Sequence, residues 1–371
     1  MELASVLETG SLKPARIVLT GPGSEHGEEN MIQGAAIAAS RGTHVIYAGT
    51  RSHDGVHTVP ATNDTEAHSV MEAMLDSGEA DGAVTMHYPF PIGVSTVGRV
   101  ITPGLGKAMY IATTTGTSST DRVEGMVKNA IYGIITAKAC GLKDPTVGIL
   151  NVDGARQTEI ALQELSKNGY NITFAESGRS DGGCVMRGND LLAGVCDILV
   201  TDPLTGNILI KMLSSFTTGG NYESLGWGYG PGIGMDYSKL VLILSRASGV
   251  QVVANAIEFA AELVRGNYKD IAATEFAAAK TAKLPAILEA IRARNETAAG
   301  NTPVKAPPKE VVSAEISGIE IAELEDAVAV LWAENIYAQS GMGCTGPVVL
   351  VNDGKLKQAE DILAAKGFIT A

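Results

Sequence analysis

The chain has 371 residues, 45% of them hydrophobic, and a formal net charge of −13 at pH 7. That length holds two domains, or one large domain with an appendage, and the charge opposes nucleic acid and anionic membrane surfaces without excluding a small anion held by a local arginine. No apolar run approaches the roughly 18 residues of a membrane span, and Met1-Glu2-Leu3-Ala4 lacks the basic start of a signal peptide, so a soluble cytoplasmic protein is expected.

Residues 1–12 read as a leader and residues 13–296 as one core. "ARIVLTG" (15–21) predicts a first strand, and "ENMIQGAAIAASRG" the helix after it. "HVIYAG" (44–49), "DGAVTMHY" (81–88), "KAMYIATT" (107–114), "TVGILNV" (146–152), "NITFAES" (171–177), "CDILVTD" (196–202) and "LVLILSR" (240–246) continue the series. Short apolar strands alternating with helices imply parallel strands covered on both faces, hence a doubly wound, mostly parallel α/β sheet. Residues 297–310, "TAAGNTPVKAPPKE", hold three prolines and no helical period, the composition of a linker.

Residues 311–371 read as a small α/β tail domain. "VVSAEI" is a strand. Leu324, Val328 and Leu331 have helical spacing, and Trp332 and Ile336 extend that face. "PVVLV" (347–351) is a strand, and "KLKQAEDILAAKGF" a helix closed by Gly367.

Several motifs carry little chemistry. "GPGSEHG" (21–27) is neither G-x-G-x-x-G nor a Walker A loop, and Glu25, Glu28 and Glu29 already crowd the positive end of the next helix. It reads as a glycine-rich turn. "HDGVH" (53–57) contains Gly55 and no helical period, so its two histidines read as loop rather than as a metal pair. His87 lies at the carboxyl end of a predicted strand, where open α/β sheets bind ligands. It reads first as structural and second as a pocket residue. No metal site is expected.

"LVTDPLTGN" (199–207) and "LILSRAS" (242–248) are apolar strands ending in small polar residues before a helix. Thr205, Gly206 and Asn207 offer donors at one helix start; Ser245, Arg246 and Ser248 do so at another. Helix starts favour anions, and arginine adds a planar fork that matches phosphate oxygens. Were the two ends to converge, they would form a phosphate pocket. Either alone is equally an ordinary helix cap.

The four cysteines, Cys140, Cys184, Cys196 and Cys344, form no C-x-x-C pair and are expected to be free thiols. Cys140 and Cys196 read as core residues. Cys184, in "SDGGCVMRG", and Cys344, in "AQSGMGCTGPVVLV", have glycine-rich surroundings that expose main-chain N–H groups.

"CDILVTDPLTGNILIKML" and "VLILSRAS" resemble the phosphate acetyl- and butyryltransferases and the phosphate acyltransferase of phospholipid synthesis, over roughly residues 13 to 295. That resemblance implies an isocitrate/isopropylmalate-dehydrogenase-like α/β fold and acyl exchange between a thiol carrier and inorganic phosphate. It assigns catalytic roles to Ser245 and Arg246. The Pro-rich linker and "GMGCTGPVVLV" make the whole chain similar to the protein C alpha-subunit family of glycine, sarcosine and betaine reductase complexes. In that family the terminal cysteine carries an acetyl thioester that phosphate cleaves to acetyl phosphate; Cys344 fits the position. The resemblance further implies a ketoacyl-synthase-like beta subunit, selenoprotein A of the reductase, an oligomer, and phosphate as co-substrate with no other cofactor. One position departs from the acetyltransferases, which place a carboxylate seven residues after the serine; here it is Val252. A CoA-dependent phosphate acyltransferase with a structural Cys344, and a non-catalytic scaffold, are the alternatives.

The thiolate is the acyl acceptor, and a free cysteine with a pKa of about 8.5 is only slightly ionised at neutral pH. Gly343, Thr345 and Gly346 are expected to offer N–H groups to the thiolate or to a tetrahedral oxyanion. The negative end of the preceding helix is expected to work against ionisation. Loop N–H groups, Arg246 or a partner subunit would have to oppose it.

Overall fold

A computed structural model describes residues 14–178, 182–299, 304–319, 323–343 and 346–369. The chain divides into two compact units, Met1–Asn151 with Thr158–Leu284, and Val152–Gln157 with Pro285–Ala371. The second unit therefore begins before the expected linker. Among the helices, α1 (Gly27–Ser40), α2 (Asp64–Ser77), α3 (Arg122–Ala139), α4 (Ala155–Lys167), α5 (Gly188–Ala193), α6 (Pro203–Ser215), α7 (Val250–Arg265) and α8 (Tyr268–Thr281) precede α9 (Leu284–Ala299). That last helix runs through residue 296, where sequence composition put the end of the core.

The strands of the first unit are β1 (Arg16–Thr20), β2 (His44–Gly49), β3 (His57–Pro60), β4 (Gly82–Thr85), β5 (Val94–Ile101), β6 (Ala108–Thr117), β7 (Thr146–Leu150), β8 (Thr173–Phe174), β9 (Val185–Met186), β10 (Ile198–Val200), β11 (Gly230–Ile233) and β12 (Val241–Ile243). They form one sheet in the order β3-β2-β1-β4-β12-β11-β5-β6-β10-β7-β8, with β9 on β7. Every pairing is parallel except the three that involve β5 and β11. Ile17, Val18 and Leu19 of β1, Ala83 and Val84 of β4 and Val241 and Leu242 of β12 are all fully buried, as a parallel sheet covered on both faces requires.

The antiparallel insert was not legible as strand. β5 reads "VSTVGRVI", yet Ser95, Thr96 and Arg99 are buried because each finds a partner. Ser95 donates to Asn129 Oδ1 at 2.9 Å, and Thr96 shares a 2.7 Å hydrogen bond with Thr114. The Arg99 guanidinium pairs with Glu262 at 2.8 Å and lies 4.2 Å from the Trp227 ring and 4.3 Å from that of Phe259. β11, "GPGI", has almost no side chains to read. Gly230 has φ +81°, and a Cβ there would stand 1.8 Å from the Val97 carbonyl oxygen.

The second unit has its own core and a three-stranded antiparallel sheet of β13 (Ala314–Ile316), β14 (Ala338–Gly343) and β15 (Gly346–Val351), in the order β13-β15-β14. Val349 and Val351 of β15 pack with Leu331 of α10 (Leu324–Ala333) and Leu363 of α11 (Leu356–Ala365). Ile336 does join that core, but beyond the helix. Asn335 takes φ 61°, and Ile336 N–H returns to the Leu331 carbonyl at 2.9 Å, a left-handed cap with its apolar contact. Gly367, at φ 81°, closes α11 as expected. Strand β14 corrects the sequence reading, which ran the helix up to the cysteine loop. The helix ends at Ala333, so a full strand separates its negative end from the loop, and a helix terminus acts only within its last turn. Gly343 and Gly346 face each other across the β14–β15 ladder. Cys344 and Thr345 lie outside the described residues.

Gly230→Ala is expected to lower stability by about 1–3 kcal/mol or more, since the added methyl overpacks the β11–β5 contact. A lower urea midpoint at unchanged m-value is the expected reading.

Candidate active site at the strand ends

Three parallel neighbours, β1, β4 and β12, end side by side. After β12 the chain continues through Leu244, whose N–H donates to the Thr85 carbonyl at 2.8 Å, into a tight turn at Ser245–Ser248. Ser248 N–H returns to the Ser245 carbonyl at 3.1 Å, and the Ser245 hydroxyl accepts from Ala247 N–H at 3.2 Å. Gly249 then caps α7, which begins at Val250.

This turn is clasped to the glycine-rich loop after β1. Arg246 Nε donates to the Gly23 carbonyl at 2.9 Å, and the Arg246 carbonyl accepts from Glu25 N–H at 2.9 Å. The loop that looked like a plain turn is thus a wall of the site. Gly23 has φ +99°, and a Cβ there would stand 2.8 Å from Asp64 Oδ1, so only glycine fits. Arg246, exposed and held at its Nε, lines a small, solvent-open cleft with Pro22, Gly23, Asp64, His68, Thr85, Met86 and His87. Asp64 and His68 are four apart on α2, so they share one helix face. His68 Nε2 is 3.0 Å from Thr85 Oγ1, which also accepts from the Thr20 hydroxyl at 2.8 Å. His87 therefore sits in a cleft rather than in a core.

Ser245 turns the other way, toward a buried carboxyl group that sequence reading did not find. Glu223 is 4% exposed and its backbone is stitched to the turn: its N–H donates to the Ala247 carbonyl at 2.9 Å, and its carbonyl accepts from Gly249 N–H at 2.8 Å. The Ser248 hydroxyl donates to Glu223 Oε2 at 3.2 Å. Burial raises the Glu223 pKa above the ordinary carboxyl value, against the hydrogen bonds of Ser245 and Ser248 and the charge of Lys211. Val252, where the transferases would have their acid, is fully buried in α7. Glu223 comes instead from "NYESLGWGYG", a segment with no periodicity to betray it.

The other expected helix start is differently furnished. Asp202 caps α6, accepting from Leu204 and Thr205 N–H at 3.1 Å each and from the Thr205 hydroxyl at 2.6 Å. Asn207 donates its amide to the Thr114 carbonyl at 3.1 Å. Gly206 is a close-approach residue, since a Cβ there would stand 1.7 Å from the Thr113 carbonyl oxygen. Strands β11, β5 and β6 lie between β10 and β12 in the sheet, so the two strand ends are not neighbours in it.

Of the cysteines in described positions, Cys140 and Cys196 have thiols pushed up to about 12, burial being the first cause in each. Cys184, the other cysteine in a glycine-rich setting, is 4% exposed. Among the described residues no cluster of three or more histidine, cysteine or acidic side chains is arranged to hold a metal ion, and no helix is long and apolar enough to cross a membrane.

These features lie within a recognisable class: the chain belongs to the family described as fatty acid synthesis protein, which it matches over residues 15–350. More narrowly, it is 56% identical over 372 residues to the glycine/sarcosine/betaine reductase complex component C subunit alpha of Peptoclostridium acidaminophilum, covering 100% of this chain and 97% of that one. A phosphate acyltransferase of Lysinibacillus sphaericus is 25% identical over 249 residues, 57% of this chain and 74% of its own. A branched-chain phosphotransacylase from Enterococcus faecalis V583 superimposes with a TM-score of 0.46 at 17% identity, covering 67% of this chain and 99% of that chain.

A carboxyl group whose folded pKa is raised stabilises below its unfolded value, and that contribution is lost as pH climbs through the folded value. Glu223→Gln should therefore gain stability relative to the wild type as pH rises from about the unfolded carboxyl value of 4.5 toward neutrality. Urea unfolding of both proteins across that range reads the difference.

Proposed function

We propose that this chain is an acyltransferase subunit that carries an acetyl group as a thioester on Cys344 and passes it to inorganic phosphate, giving acetyl phosphate, within a complex of the glycine reductase type. The observation that carries this reading is the identity of 56% across the full chain with a component C alpha subunit. The phosphate acyltransferase relatives support the reaction class. The burial of Cys184 and Cys196 and the raised thiols of Cys140 and Cys196 support Cys344 as the acceptor, because a buried or protonated thiol takes up an acyl group poorly.

Phosphate lies against the guanidinium of Arg246, with His68 and His87 on the same cleft wall. A phosphate oxygen attacks the thioester carbonyl, the C–S bond breaks, and the Cys344 sulfur leaves and takes up a proton. Negative charge grows on phosphate and on the carbonyl oxygen together. Arginine offsets that repulsion and holds the nucleophile in line. Gly343, Thr345 and Gly346 serve the oxyanion. Of the residues expected to position phosphate, Ser248 and Ser245 stay with this site, while Thr205, Gly206 and Asn207 already hold internal partners. A ketoacyl-synthase-like beta subunit and selenoprotein A are the partners that bring the two-carbon unit.

Removal of one preorganised donor to developing charge costs about 2.7–4 kcal/mol, so Arg246→Ala should slow acetyl-phosphate turnover by about 100- to 1,000-fold. Arsenolysis of acetyl phosphate measures it, and an unchanged rate dismisses the role. Isotopically labelled acetyl phosphate should leave one acetyl group, on the peptide containing Cys344, and none in Cys344→Ser. Turnover by that variant with acetyl-CoA as donor would instead favour a CoA-dependent enzyme.

A further inference from the structure

The cleft at Arg246 sets one acid among its basic side chains. Asp64 opens α2 at the cleft wall, four residues before His68. Its carboxylate lies over Gly23, where a Cβ would stand 2.8 Å from Oδ1 and 3.2 Å from Oδ2. Gly23 is also the residue whose carbonyl holds Arg246 Nε. Carboxylate and guanidinium thus adjoin the same short loop, yet among the described residues no hydrogen bond or ion pair takes the Asp64 oxygens. The neighbouring acids are already engaged. Glu28 accepts from the Tyr47 hydroxyl and from the N–H and hydroxyl of Thr50. Glu66 accepts from the N–H and hydroxyl of Thr62.

The rest of the cleft donates. Arg246 has only N–H groups to offer. Thr85, fully buried, receives the Thr20 hydroxyl proton at 2.8 Å, so its own proton is left for His68 Nε2 at 3.0 Å. With Nε2 accepting, the neutral His68 ring carries its N–H at Nδ1. That nitrogen has no partner among the described residues.

Resting on the placement of phosphate at Arg246, we propose that Asp64 determines which oxyanion the cleft takes. It selects tetrahedral oxyanions that carry a proton, hydrogen phosphate and hydrogen arsenate, and rejects sulfate. Slightly above neutral pH, hydrogen phosphate and sulfate are both dianions of nearly one shape, so the charge of an arginine does not separate them. They differ in a single hydrogen. A carboxylate can only accept. Hydrogen phosphate gives its O–H to Asp64 and its bare oxygens to Arg246 and His68. Sulfate has no proton to give and sets lone pairs against lone pairs. A site built to receive a hydrogen bond rejects the analogue that lacks the donor. The proton is read and not removed, since a carboxylate is too weak a base to take it from a phosphate dianion. Asp64 is therefore a specificity residue and not a catalytic one.

The test measures binding of phosphate, arsenate, sulfate and selenate to the full-length protein by calorimetry, at constant ionic strength and about pH 8, where the carboxylate is ionised. Phosphate should bind about 10- to 100-fold more tightly than sulfate, and arsenate should exceed selenate by a similar factor. In Asp64→Asn both ratios should fall to within about threefold, because the amide donates to an unprotonated oxygen. Asp64→Ala, which leaves no group there, should show the same collapse. Arg246→Ala should weaken all four anions. Equal affinities in the wild type, or ratios that Asp64→Asn leaves unchanged, would overturn the selection. So would an equal tightening of phosphate and sulfate in that variant, the mark of a carboxylate that only repels. Phosphate binding that is absent, or indifferent to Arg246→Ala, overturns the placement of phosphate and the selection together. Arg246-dependent phosphate binding with no penalty for sulfate overturns the selection alone.

Discussion

The clasp between Arg246 and the loop after β1 organises the first unit's site. One residue gives its side chain to the Gly23 carbonyl and its own carbonyl to Glu25 N–H. Two loops separated by more than two hundred residues are thereby locked in register. A guanidinium used only for charge would wander at the surface. Here its Nε is spent on position, and among the described residues no hydrogen bond takes its two terminal nitrogens. The strand beneath enforces the same geometry, because β12 enters the turn already fixed to β4, with Leu244 N–H on the Thr85 carbonyl.

Ser245 and Arg246 are adjacent and serve opposite sides of the turn. Arginine faces the cleft of His68 and His87, while serine faces Glu223. A strand exit provides this division without special sequence, since successive residues of extended chain point to opposite sides. The turn thus presents a cation on one side and a buried carboxyl group on the other.

The apolar strands were legible because burial on both faces leaves a continuous hydrophobic run, as in β1, β2, β10 and β12. β5 was hidden by its polar residues, each buried only because a distant partner meets it: Arg99 needs Glu262, Trp227 and Phe259. β11 was hidden by its glycines. In the site, Ser245 and Arg246 could be read from the strand that feeds them. His68 and Glu223 could not. One rides a polar helix face and the other a glycine-rich segment, and only tertiary pairing brings them to the turn. In the second unit, "AQSGMG" gave no alternation to reveal β14, whose partner β15 supplies the apolar side chains of the hairpin.

The capping of α6 by Asp202 carries one more consequence. The sheet contains two exits that look alike on paper, each a favourable berth for a stray oxyanion. At the first, the chain has moored a carboxylate of its own on the two open N–H groups and the threonine hydroxyl. Sulfate, phosphate or a nucleotide arriving there meets a vessel already docked and of its own sign. A single acidic side chain thereby closes that berth by occupation rather than by shape.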